Sequence, residues 1–176
     1  AYSSRLLLKE QYNRRSANEG FIGFGMEYDD YTLNYLKGLE KYKTKGAHTD
    51  LKLPCGITAD TARYLGKLAY SDDEVRAIAQ LTKGDSWLNE EVTKHVFLGH
   101  STDYRLLHLA MHGSYDLEFP LNSSLIFTRN DSSDIFLRAA EMYGVELAGD
   151  MVVLSACNTA FGKFQEGECP MTLARA

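Results

Sequence analysis

The chain has 176 residues, 44% of them hydrophobic, and a formal net charge of −5. A chain of that length buries roughly two-thirds of its unfolded surface, so one domain around one core is expected, and the acidic balance argues against nucleic acid or an anionic membrane as a direct partner. No apolar run approaches the ~20 residues of a membrane helix, no signal segment is read at the start, and three cysteines suit a reducing compartment better than a disulfide framework, so a cytoplasmic location is expected.

No repeat, low-complexity tract or internal boundary divides the sequence. Residues 21–25 (Phe-Ile-Gly-Phe-Gly) read as a short strand. Residues 28–55, polar and rich in Tyr and Lys, read as a surface insertion with turns at Gly38 and Gly46. Ser71-Asp72-Asp73-Glu74 has the capping-box pattern, followed by Val75, Ile78 and Ala79 at helical spacing and by Gly84 as a stop. Asn89 opens a second predicted helix through Val92, Val96 and Phe97 to Gly99. Residues 104–111 and 124–128 read as strands, 136–143 has helical periodicity, and 151–154 (Met-Val-Val-Leu) is the bare apolar run of a strand buried on both faces of a parallel sheet. Alternation of strand and helix argues for an α/β fold with a mostly parallel sheet and its site at the carboxyl ends of the strands.

Two of the predicted strands end in reactive residues, one in Leu109-Ala110-Met111-His112-Gly113 and the other in Val153-Leu154-Ser155-Ala156-Cys157. On the same rim, the His112 imidazole can act as base to the Cys157 thiol. The amides of Gly113 and Cys157 could face an oxyanion. Without further knowledge the bland reading leads, since a Cys after an apolar strand is usually a small core residue and a His near a strand end is usually hydrogen-bonded structure.

These residues resemble the CHAT family, the caspase-like domain related to separases, in which one apolar strand ends in His-Gly and a later one in Ser-Ala-Cys. His112-Gly113 fits the first motif, Pro120-Leu121 and Ser124-Leu125 the middle element, and Leu154-Ser155-Ala156-Cys157-Asn158-Thr159 the second. The likeness covers about 100 residues and weakens toward Ala1. Asn158 stands where the family commonly has an acid, and Cys169-Pro170 where it tends to have a Gly and a small or apolar residue.

The resemblance implies a three-layer caspase-like α/β sandwich with a mostly parallel central sheet. It further implies a cysteine endopeptidase (a hydrolase, or thiol protease) that cuts a protein substrate with a His112–Cys157 dyad and no third residue. Such domains are often joined to helical repeats, controlled by a partner or effector, and used in bacterial defence. In relatives of this fold that cut after Arg or Lys, an acid often stands two positions before the nucleophile. Here Ser155 holds that substrate-binding position, so a neutral or apolar P1 residue is expected. The rival is a catalytically silent binding module on the same sandwich.

Other motifs carry less. His108 and His112 would lie about 13 Å apart on a strand, beyond shared coordination of a metal. Gly20, Gly23 and Gly25 do not match a nucleotide fingerprint. Neither a metal nor a cofactor is expected. Cys169, beside Glu166 and Glu168, is a poor nucleophile, and Cys55 is incidental. The family pattern continues past residues 171–176 into at least one further strand, so the sequence is expected to lack its C-terminal half, with a second polypeptide or further chain covering the 151–154 strand.

Overall fold

The structure is a computed structural model that describes residues 19–43, 65–114, 116, 119–130, 134–147 and 149–156. Its elements in chain order are β1 (Glu19–Gly25), α1 (Asp30–Lys43), α2 (Ser71–Thr82), β2 (Asp85–Leu88), α3 (Lys94–His100), β3 (Tyr104–Ala110), β4 (Gly113–Ser114), β5 (Ser124–Ile126), β6 (Phe136–Arg138), α4 (Ala139–Met142) and β7 (Met151–Ser155). Four strands form a parallel sheet in the order β2-β1-β3-β7. This is the expected α/β architecture with a mostly parallel central sheet. The small antiparallel sheet β4-β5-β6 branches off directly after β3.

The two faces of the parallel sheet are covered differently because β1 alternates small and large residues. Ile22 and Phe24 point to one face beside their register partners Leu107 and Leu109, and all four are fully buried. Phe24 meets Phe97 of α3 edge-on, with ring centroids 5.5 Å apart, and Phe97 meets Phe127 at 5.6 Å. On the opposite face Gly23 and Gly25 let α2 approach. A Cβ at Gly25 would stand 2.7 Å from the Ser71 carbonyl oxygen, and one at Gly23 would stand 2.4 Å from Val75 Cγ1. The glycines are therefore a packing device for α2.

Several local expectations are corrected. Residues 28–55 were expected on the surface, but 30–43 form a helix whose Leu33 and Leu36 are buried in the core with the neighbouring Tyr28. Asp29 accepts the Thr32 amide at 2.9 Å at the start of that helix. Residues 44–55 lie outside the described residues. The capping box does not form, because the helix begins one residue earlier than expected, with Tyr70 rather than Ser71 in the cap position. Instead Ser71 Oγ donates to the Met26 and Leu68 carbonyls at 2.6 and 2.9 Å, pinning α2 to the end of β1, and the Glu74 carboxylate turns to other partners.

Residues 85–88, unassigned between the two predicted helices, form a strand, and the next helix is capped by Thr93, whose Oγ1 accepts the Val96 amide at 3.2 Å, rather than opened by Asn89. The 136–143 segment splits into β6 and the single turn α4, tied to α3 by Lys94 Nζ, which donates to the Phe136 carbonyl at 2.8 Å and pairs with Glu141 at 2.7 Å. β7 is not buried on both faces. It pairs with β3 alone among the described residues, and Met151 and Val152 are 52% and 37% exposed. Among the described residues, no helix is long and apolar enough to cross a membrane.

Candidate active site

All four strands of the parallel sheet end on one edge. Gly25 stands opposite Ala110, and Ala110 opposite Ser155. His112 follows two residues past Ala110. Its backbone is clamped on both sides: the amide donates to Tyr28 Oη at 2.7 Å, and the carbonyl accepts the Ile126 amide at 3.0 Å. Tyr28 Oη in turn donates to the Ile126 carbonyl at 2.5 Å, so one phenol links the His112 backbone to β5. Burial holds that phenol protonated, far above its ordinary range, so it remains a donor. The Tyr28 ring also lies against the imidazole, with centroids 4.5 Å apart.

The imidazole is buried and oriented. Its Nε2 lies 2.8 Å from the Gly66 carbonyl oxygen. A carbonyl oxygen can only accept, so Nε2 carries the proton and Nδ1 of the neutral ring keeps its lone pair. Burial lowers the His112 pKa below its ordinary value, and the bond to Gly66 opposes that shift without reversing it. The result is a neutral, fixed imidazole with one nitrogen committed to the main chain and the other available as a base.

The chain matches the CHAT domain family over residues 1–176. The chain belongs to the CHAT family. CHAT membership reaches well beyond the 100 or so residues of the sequence likeness, and it suggests a caspase-like peptidase. No curated protein and no solved structure matches the chain closely enough to carry an argument.

Within this CHAT domain the other expected site residues are placed as follows. Gly113 is buried in β4 opposite Leu125, immediately after His112. Ser155 ends β7, half-buried, and its Oγ donates to Glu74 Oε2 at 3.4 Å. Cys157, with Cys55 and Cys169, lies outside the described residues. His108 Nε2 pairs with Glu74 Oε1 at 2.8 Å.

Three contributors escaped the sequence reading. Gly66 acts through its carbonyl, which any residue possesses, so no side-chain pattern could reveal it. Tyr28 stood at the head of a segment read as surface. Glu74 was assigned to a capping box, although a Glu at that helical position can equally reach across to a neighbouring strand.

Proposed function

We propose that the protein is a cysteine endopeptidase in which His112 serves as the base for Cys157. The observation that carries this reading is the bond from His112 Nε2 to the Gly66 carbonyl, which among the described residues leaves the Nδ1 lone pair uncommitted in a buried, neutral ring. Register adds support: β3 and β7 pair with Ala110 opposite Ser155, and each candidate lies two residues further on, so His112 and Cys157 share the offset of the paired strands.

In the proposed reaction Nδ1 takes the Cys157 proton, and the thiolate attacks the scissile carbonyl carbon. The oxyanion would be held by the amides of Gly113 and Cys157. The imidazolium then protonates the leaving amine as the C–N bond breaks, and water activated by the same imidazole hydrolyses the thioester. The substrate is a protein. The setting we propose is the cytoplasm, in bacterial defence, under control of a helical-repeat region. We also propose that a second polypeptide or further chain pairs with β7, whose exposed Met151 and Val152 otherwise leave an apolar sheet edge.

Alkylation by iodoacetamide, followed residue by residue in an intact-fold preparation, tests the poised thiol. Cys157 is expected to react much faster than Cys55 or Cys169, and to slow in His112→Gln. Equal rates at all three cysteines in the wild type would refute the reading and favour a binding module.

A further inference from the structure

A cavity of about 410 Å³ opens on the α2 face at the carboxyl edge of the sheet. Its floor is the register pair Ala110 and Ser155, and its walls include Leu68, Tyr70, Asp73 and Glu74. The space exists because the paired strand ends carry small side chains under the first turn of α2. Asp73 and Glu74 are its two charged groups among the described residues, both anionic.

The two carboxylates differ. Asp73 is turned toward Arg76, whose Nη1 it meets at 3.1 Å on the open surface, so much of its charge is matched. Glu74 is braced: Oε1 pairs with the buried His108 at 2.8 Å, while Oε2 is aimed at the strand end and accepts from Ser155 Oγ at 3.4 Å. That second bond is long, and a stronger donor could readily displace it. Apolar surface from Leu68 and Ala110 lines the approach, suited to an alkyl stem, and the Tyr70 ring stands at the rim, 75% exposed.

We propose that Glu74 is the specificity-determining residue of a P1 pocket that takes a cationic side chain, arginine or lysine. This rests on the endopeptidase reading above. Ser155 precedes Cys157 by two residues in the sequence, and two residues span at most about 7 Å of chain. A residue whose carbonyl is attacked at Cys157 therefore has its side chain within reach of the cavity floor. Its alkyl stem lies along Leu68 and Ala110, and its guanidinium or ammonium donates to Glu74 Oε2, a charge-assisted bond that replaces the weak one from Ser155. Ser155 does not supply the acid, which comes instead from a helix more than eighty residues earlier in the chain. The neutral P1 expected from Ser155 alone is thereby replaced by a basic one.

The test is a panel of fluorogenic peptides identical except at P1 (Arg, Lys, norleucine, Leu, Asp), cleaved by wild type, Glu74→Gln, Glu74→Lys and Cys157→Ala. The wild type is expected to prefer Arg or Lys over norleucine, which matches the stem without the charge. Glu74→Gln, which keeps a hydrogen-bond acceptor, should cut that preference roughly ten- to a hundred-fold, and Glu74→Lys should move it toward Asp. Cleavage by the wild type with norleucine, Leu or Asp equal to or better than Arg, lost in Cys157→Ala, would overturn the pocket assignment and leave the peptidase reading standing. No cleavage of any peptide by the wild type, or cleavage undiminished in Cys157→Ala, would overturn the peptidase reading and the pocket with it.

Discussion

At the scale of single residues the account depends on how His112 is held. In the proposed reaction neutral imidazole is the reactive form, and burial lowers its pKa below the ordinary 6.5. The acid limb of the kcat/KM profile is therefore expected below pH 6.5, and a limb well above 6.5 would show that the ring is not the buried base described. The sign for stability is the same. The unfolded chain takes up the His112 proton near pH 6.5 and the folded chain only at lower pH, so this residue's contribution is complete above 6.5 and falls away as pH drops toward the folded value. Tyr28→Phe keeps the ring against the imidazole but deletes the hydroxyl, leaving the His112 amide and one Ile126 carbonyl bond without a partner in a buried setting. A loss of about 1–3 kcal/mol is expected from denaturant titration, and a change under a few tenths would show the hydroxyl bonds to be expendable. Much of this was visible beforehand: His112-Gly113 stood out because it follows an apolar strand, whereas its main-chain partner at Gly66 carries no side-chain signature.

Among the elements, those that could be read from sequence were the ones whose local pattern and tertiary role agree. β1, β3 and β7 are apolar runs that became strands, and α2 has its apolar face at helical spacing. The failures occurred where tertiary contacts overrode local signs. The 136–143 run is periodic like a helix, yet Phe136 and Leu137 are recruited into a strand beside β5, leaving a single turn behind. In α1 a short buried stripe at Leu33 and Leu36 was outweighed by its polar surroundings. The capping-box residues are present, but Ser71 serves β1 and Glu74 serves the strand ends. The approach of α2 to β1 gives a test. Gly25→Ala would place a methyl 2.7 Å from the Ser71 carbonyl oxygen, a backbone atom that cannot swing aside. Displacement of α2 and a loss of about 1–3 kcal/mol are expected, measured by denaturant titration, and a stability equal to wild type would show that the helix sits further off than described.

At the scale of the whole molecule, the parallel sheet of the described residues ends on an edge strand, β7, in an unusual state. Strands of parallel sheets are normally covered on both faces, whereas the first two residues of β7 are exposed. Protein that pairs through this edge is expected to sediment as more than one chain, and Val152→Lys, placing a charge on the edge, should shift it toward single chains. Unchanged sedimentation would remove β7 as the pairing edge. Sequence alone anticipated an apolar strand here and a further strand beside it. Which face stays open could not be read, because a short apolar run looks the same on an edge as in the middle of a sheet.

The central claim, that His112 and Cys157 together hydrolyse peptide bonds in proteins, is tested most directly by mass spectrometry of new N-termini after incubation with a proteome. The wild type is compared with Cys157→Ala and His112→Ala. The account predicts a defined set of new termini made by the wild type and absent from both variants, with the variants folded as judged by their thermal unfolding. The same set of termini produced by Cys157→Ala, or none from the wild type, would contradict it.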